Sequence, residues 1–274
     1  MRKVGINVEL GFGIEVPEMM ERIQAAGFEA VFVTWKNDGS LAAKKQKADE
    51  LGLEMPFIHA PFGKIEWLWE NDELGETVLQ TQLDCVTDSA KNGIPIVVCH
   101  IFKGFGKEER PNEIGLARIR RLLDHAQENG VKIAFENTEG DTYLDAVMTA
   151  FRDHPATGFC IDSGHEICYN PGKDLITKYA DHVIATHLDD NLGVSGESIF
   201  WHDDLHLLPW DGKVDFEGVA KRLQKTPFCG TLMFELTVKS KPGHNENDAY
   251  LAMGCDAYLA EAYRRACRFA ALFE

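Results

Sequence analysis

Eight short apolar runs in this chain end, in order, at Asn7, Thr34, His59, His100, Glu136, Asp162, His187 and Glu235. Six of these eight terminal residues can bind a metal ion or move a proton. Two nearby patterns extend the set. Asp162-Ser163-Gly164-His165 puts a carboxylate and an imidazole three residues apart at a tight turn. Asp204-Leu205-His206 puts another pair on an extended loop, where alternation sends both side chains the same way. Carboxylates are seldom buried unless paired, so a purely structural role would require each group to be satisfied separately beneath the same surface. Convergence on one functional cluster is the simpler reading. Mixed carboxylate and imidazole donors suit Mn²⁺, Zn²⁺, Co²⁺ or Fe²⁺ better than Ca²⁺, and the absence of a cysteine ligand argues against a closed structural zinc site.

For those residues to meet, the apolar runs must lie parallel with their C-terminal ends together. The expected strands are Val4 to Val8, Ala30 to Thr34, Glu54 to His59, Ile96 to His100, Lys132 to Glu136, Gly158 to Asp162, Val183 to His187 and Thr231 to Glu235. Amphipathic segments fall between them: Pro17 to Ala26, Leu41 to Leu51, Leu74 to Asn92, Asn112 to Asn129, Thr142 to Arg152, Asp174 to Tyr179 and Phe216 to Gln224. Glu246 to Leu272 closes the chain. Pro17 suits a first helical turn, and Gly27, Gly52, Gly93 and Gly130 follow helices where a left-handed residue ends them. Strand and helix alternating eight times predicts an α/β fold of the (β/α)8 TIM-barrel type, one domain over residues 1–274, with its chemistry at the strand C-termini. No G-x-G-x-x-G phosphate fingerprint opens a helix. The unusually long connection Asp189 to Asp215 reads as an ordered loop over the active-site face.

Composition narrows the class further. No apolar run approaches the roughly 18 residues of a membrane span, and 45% of the chain is hydrophobic, enough for a large core. A net charge of −16 disfavours a broad surface for nucleic acid or anionic membrane, because Lys and Arg supply most of the affinity for polyphosphate. A bound cation can still make a local site positive. Seven cysteines, several inside apolar runs, read as reduced core residues, and the N-terminus shows no export signal, so the expectation is a cytoplasmic protein. Trp35, Phe62, Trp67, Trp69, Trp201 and Trp210 follow strand ends and are candidates to wall a pocket, while Lys103, Lys107 and Arg110 read as solvated surface charge.

The segments His59-Ala60-Pro61-Phe62, Ala134-Phe135-Glu136-Asn137-Thr138, Cys160 to His165, Thr186 to Asn191, Asp204 to Gly212 and Phe234-Glu235-Leu236 together resemble the xylose-isomerase-like TIM-barrel superfamily. That group includes sugar isomerases and epimerases and endonuclease IV. The resemblance implies one divalent ion (Mn, Zn, Co, Fe or Mg) held by Glu136, Asp162, His187 and Glu235, with Glu136 and Glu235 also acting as acid and base. It implies that His165 contacts the substrate, and His59, His100 and His206 are assigned to substrate binding beside it. The expected function is isomerisation or epimerisation of a small sugar, inosose or related polyhydroxy carbonyl compound, with no nucleic-acid or membrane partner. A dimer or tetramer is a family-level expectation. The alternative is an endonuclease IV-like phosphodiesterase acting on abasic DNA with up to three Zn²⁺, whose ligand types are matched by His59, His100, Glu136, Asp162, His165, His187, Asp204, His206 and Glu235. Against it stand the acidic balance and the His206-Leu207-Leu208-Pro209 segment, which resembles carbohydrate-type members. The Arg of the best-known ketose epimerases, a few residues beyond the metal-binding His, has no counterpart between Leu188 and Leu192.

Overall fold

In the computed structural model, which describes residues 2–274, strand and helix alternate along the chain. The elements are β1 (Val4–Asn7), α1 (Val16–Ala26), β2 (Ala30–Phe32), α2 (Leu41–Glu50), β3 (Phe57–His59), α3 (Glu73–Lys91), β4 (Ile96–Cys99), α4 (Glu113–Glu128) and β5 (Lys132–Glu136). They continue with α5 (Asp141–Ala150), β6 (Thr157–Asp162), α6 (Ser163–Cys168), α7 (Leu175–Lys178), β7 (Val183–His187), α8 (Phe216–Leu223), β8 (Leu232–Phe234), α9 (Asp248–Met253) and α10 (Cys255–Ala270). All the strand pairings are parallel. β1 lies between β2 and β8, and β3 to β7 pair in sequence order. Bridges Ala30–Glu54 and Thr34–His59 join β2 to the β3 side, and Leu188–Phe234 joins β7 to β8. The circuit therefore closes as a (β/α)8 barrel.

Period-two alternation sorts the strand side chains into two packed layers. Ala30, Phe32, Phe57, Val98, Ala134, Cys160, Ala185 and Met233 fill the barrel interior. Their neighbours on the strands, such as Val31, Ile58, Val97, Phe135, Ile161 and Phe234, face outward into the larger core shared with the helices. Two residues beyond Phe57, Val98, Ala134, Cys160, Ala185 and Met233 stand His59, His100, Glu136, Asp162, His187 and Glu235. The same alternation that packs the interior thus aims these six side chains into the barrel mouth. Lower down, close packing demands glycine: a Cβ on Gly5 would lie 2.4 Å from Met233 Sδ, and one on Gly158 would lie 2.1 Å from Ile184 Cδ1.

Several segments differ from the periodicity-based expectations. Gly254, at φ 79°, ends α9 and separates it from α10, so Glu246 to Leu272 is not one continuous helix. Short helix α6 begins immediately at the end of β6, where the Asp162 side chain caps it by accepting from the His165 N–H at 2.7 Å. A 3₁₀ turn at Ile65–Trp69 after β3 is held by Arg118 of α4. Its guanidinium donates to the carbonyls of Trp67, Leu68, Glu70 and Asp72 and to Glu76. Trp35 and Trp69 are buried, with indole N–H groups bonded to Asp88 and Ile101, and neither walls a pocket. Cys85, Cys99, Cys160 and Cys168 are buried as expected, but Cys229 is exposed and Cys255 and Cys267 are only partly buried. Among the described residues no helix is long and apolar enough to cross a membrane.

Candidate metal centre

Asp162 shows how local structure makes a ligand. One carboxylate oxygen is used as the α6 cap, while the other, Oδ2, is fully buried without a hydrogen-bond partner. Such an orphan is costly unless something else satisfies it. Around it, Glu136, Asp162, His187 and Glu235 each offer a donor atom within 4.8 Å of all the others. His187 Nδ1 is 3.2 Å from Glu136 Oε1 and 3.1 Å from Glu235 Oε2. Ligand bonds of about 2.0–2.2 Å put neighbouring donors about 3.0–3.5 Å apart, so the separations and the mixed N/O chemistry fit a divalent ion. The four residues sequence reasoning assigned as ligands are thus brought together by four different strand ends.

Backbone and side-chain ties fix this arrangement. Asn137 donates to the Asp162 carbonyl at 3.0 Å and accepts from the Asp162 N–H at 2.7 Å, locking β5 to β6. Asp189 accepts from the Gly164 N–H at 2.8 Å, and Ser163 Oγ donates to the Asp189 carbonyl at 2.8 Å, tying β7 to α6. Fully buried Asp190 accepts from the N–H groups of Asn191, Gly212 and Val214. It also forms a backbone bridge to Leu207. The Asp189-Asp190-Asn191 run therefore orders the long loop of residues 189–215, and that loop carries Asp204 and His206 back over the mouth.

Four imidazoles surround the floor. His59 Nε2 and His100 Nε2 each lie 3.2 Å from Glu136 Oε2, and His165 Nδ1 lies 3.4 Å from Oε1. His165 Nδ1 also faces the Asn137 carbonyl at 3.0 Å. A second group forms where His165 Nε2 and His206 Nε2 approach Asp204 Oδ2 at 3.5 and 2.9 Å. His206 Nδ1 and Asp189 Oδ2 are 2.8 Å apart but out of line for a hydrogen bond, which leaves both without a hydrogen-bond partner. His165, Asp204 and His206 form one further candidate ligand group, and Asp162, Asp189 and His206 another.

Electrostatics follow from burial opposed by these contacts. Burial pushes the Glu136 carboxyl up, but the positive charge of His187 and His100 outweighs it and holds Glu136 well below the ordinary range. Burial likewise raises Glu235, yet His187 brings it down to about 2. Asp162 goes the other way, raised well above the usual carboxylate range by burial and then by Asp189. Burial would strip the proton from His187, but Glu235 and Glu136 retain it well above the ordinary imidazole range. His100, where burial dominates, is lowered.

Above the floor is a cavity of about 280 Å³. His59, His100, His165, His206 and Glu235 line it, whereas Glu136, Asp162 and His187 lie beneath it. Of the aromatic candidates, Phe62 and Trp201 reach the cavity and Trp67 and Trp210 do not; Phe105 and Tyr169 join the walls. Lys103, exposed as expected of a surface charge, also borders it, while Lys107 and Arg110 do not. Asp204, Lys241, Glu139 and Thr138 complete the lining, and none of the four stands at a strand end.

A family model described as a xylose isomerase-like TIM barrel matches residues 20–269. An uncharacterized protein of Sinorhizobium fredii, y4fM, is 28% identical over 214 residues, 72% of this chain and 65% of that protein. The 3-dehydroshikimate dehydratase of Pseudomonas putida is 23% identical over 239 residues, 81% of this chain and 36% of that protein. The chain thus spans less than two thirds of both relatives. Among solved structures, a xylose isomerase domain protein from Planctomyces limnophilus aligns with TM-score 0.73 and 19% identity, covering 98% of this chain and 96% of that one. A D-psicose 3-epimerase from Clostridium cellulolyticum H10, solved with D-tagatose, aligns over 100% of both chains with TM-score 0.73 and 14% identity. At such identities the structural likeness establishes the fold.

Proposed function

Because this chain belongs to the xylose isomerase-like TIM-barrel family, we propose that it is a divalent-metal-dependent isomerase or epimerase of a small polyhydroxy carbonyl compound. The observation that carries this reading is the pair of carboxylates Glu136 and Glu235, both against Nδ1 of His187 at 3.2 and 3.1 Å, with Glu235 opening onto a cavity lined by imidazoles. Glu136, Asp162, His187 and Glu235 would hold the ion. When bound, it supplies positive charge that offsets the negative charge developing on a carbonyl oxygen as the neighbouring C–H is ionised.

The chain's own residues do the rest. Glu235, whose side chain keeps 24% exposure, reaches the cavity and takes or returns the proton from its side, while Glu136 serves as its counterpart from the floor. Return of the proton to the opposite face of the same carbon gives epimerisation, and return to the adjacent carbon gives isomerisation. His59, His100, His165 and His206 present ring nitrogens that orient carbonyl and hydroxyl oxygens. Phe62 and Trp201 offer apolar surface to the C–H faces of a sugar and keep water from the reacting carbon. A cavity of about 280 Å³ suits a small substrate. That one structural neighbour is a D-psicose 3-epimerase supports this class of reaction and leaves this chain's substrate open. The test is proton exchange in D₂O, followed by NMR, over a panel of ketoses, inososes and short keto acids with Mn²⁺-loaded protein. Deuterium at a carbon next to the carbonyl is expected for at least one member; none in the whole panel sinks the reading.

A second reading, a trinuclear zinc phosphodiesterase, draws on the further donor group His165, Asp204 and His206 and on His59 and His100 beside Glu136. The net charge of −16 weighs against a nucleic-acid partner. Metal content separates the two: about one ion per chain supports the isomerase, and three Zn²⁺ would redirect the work to an abasic-DNA cleavage assay.

A further inference from the structure

The cleft does not end at Glu235. A second cavity of about 350 Å³ shares Phe62, His206, Glu235 and Lys241 with the first, so the two are lobes of one cleft with Glu235 at the junction. The first lobe is walled by imidazoles and aromatic rings. The second is different: Thr34, Lys239 and Lys241 line it, beside Thr237 and Ser240, whose hydroxyls are already bonded to Leu10 and Asp248.

Both lysines are braced there. The stem of Lys239 runs over Gly11, where an added Cβ would lie 2.8 Å from Lys239 Cγ, and its ammonium forms no ion pair or hydrogen bond. The Lys241 ammonium stands over the Trp201 ring, 5.7 Å from its centroid, and only 3.7 Å from Asp204 Oδ2 at its nearest carboxylate. Two carboxylates share this lobe: Glu9, which accepts from the Thr34 N–H at 3.4 Å, and Glu235 at the junction. Lys239 and Lys241 are the two lysines of this lobe, set against Glu9 and Glu235 within it. They follow the last barrel strand, in the loop region where TIM barrels commonly seat anionic groups.

We propose that the second lobe is an anion subsite, in which Lys239 and Lys241 hold a carboxylate or phosphate of the substrate. The substrate is then an acidic polyhydroxy carbonyl compound: its carbonyl end lies in the imidazole-lined lobe, its reacting carbon beside Glu235, and its acidic end beyond. This assignment of the carbonyl end rests on the isomerase reading, whereas the anion subsite is tested by binding alone.

Isothermal titration of the full-length protein with D-fructose, D-fructuronate and D-fructose 6-phosphate compares a neutral ketose with its carboxylate and phosphate counterparts. At least one acidic ligand is expected to bind tenfold or more tightly than D-fructose, about 1.4 kcal/mol. Lys239→Met and Lys241→Met should each cut that ratio to threefold or less, Lys239→Arg should retain it, and Lys107→Met, outside the cleft, should leave it unchanged. Using the ratio cancels any general weakening of the site, and melting curves identify variants that fail to fold. A preference for only one of the two acids names the anion. Equal binding of all three ligands, a ratio indifferent to both lysines, or a ratio lost in Lys103→Met instead would each overturn the proposal. If binding follows the prediction but no ketose exchanges protons, the isomerase reading fails and the anion subsite stands.

Discussion

Nδ1 of His187 lies 3.2 Å from Oε1 of Glu136, and both side chains are shut off from solvent. Burial alone would drive each to its neutral form, the carboxyl protonated and the ring deprotonated. Their mutual attraction, reinforced by Glu235 against the same ring nitrogen, wins instead.

Metal binding should therefore release protons. His187 retains its proton well above the ordinary imidazole range, and Asp162 is also raised. A cation must displace those protons, so its affinity rises with pH until the raised groups ionise unaided. Titration of metal-free protein with Mn²⁺ in two buffers of different ionisation enthalpy should show at least one proton released at pH 7. Affinity should increase with pH, by about tenfold per unit for each proton displaced, until the raised groups ionise unaided. Buffer-independent heats and a flat affinity profile would contradict the charge state assigned to His187.

Glu235→Gln keeps the shape of the side chain and removes its basicity. Because Glu235 reaches the cavity while Glu136 lies beneath it, the loss of kcat should be about 100-fold or more, in the range of a missing acid or base. Circular dichroism and the melting profile should remain close to wild type. Turnover within a factor of three of the native enzyme sinks the acid–base role.

The six donors were legible because each continues an inward-facing row: Phe57 to His59, Val98 to His100, Ala134 to Glu136, Cys160 to Asp162, Ala185 to His187 and Met233 to Glu235. What escaped the sequence depends on contacts with no period. Helix α6 starts at a side-chain cap rather than on an apolar stripe, and its six residues are too short to show one. Asp190 gains its role only where three backbone N–H groups, two of them distant in sequence, converge on it. Lys103 and Lys241 look like ordinary loop cations because only the barrel circuit brings their loops to one cavity. Gly254 sits within an otherwise helical run, and its φ of 79° is what marks the break.

Gly164 is a packing constraint on the centre. A Cβ there would stand 2.3 Å from both Asn191 Nδ2 and Asp189 Oδ1, beside the turn that aims Asp162 and His165. Gly164→Ala should force α6 and the residue 189–191 segment apart and weaken Mn²⁺ binding by about 10- to 100-fold, the usual cost of disturbing groups that orient metal ligands. Titration calorimetry reads the change. Unaltered affinity would mean that the turn yields without moving Asp162.

Asp204 distinguishes one ion from several. Its Oδ2 lies 2.9 Å from His206 Nε2 and 3.5 Å from His165 Nε2, remote in sequence from the four proposed ligands. If the enzyme uses one ion, Asp204→Asn should leave metal content at about one per chain by plasma mass spectrometry while raising KM through the two histidines it orients. Loss of a bound zinc in this variant would instead assign His165, Asp204 and His206 to a further ion and favour the phosphodiester reading.

Arg118 ties the loop above β3 to α4 and is the most heavily engaged cation of the fold. Only 7% of its side chain is exposed, and the guanidinium satisfies four carbonyls as well as Glu76. Arg118→Met retains much of the apolar stem but leaves those acceptors without their shared donor. Glu76 is half exposed, so the cost comes from the stranded carbonyls, about 2 kcal/mol or more, whereas the exposed Arg121, which also contacts Glu76, should cost less than about 1 kcal/mol on the same substitution. Urea denaturation of both variants makes the comparison. The Arg118 variant should also bind substrate more weakly, because the segment it anchors follows Phe62, a residue on both lobes of the cleft. Equal, small losses for the two arginines would show that water replaces the guanidinium at little cost and that the β3 loop is held by its apolar contacts.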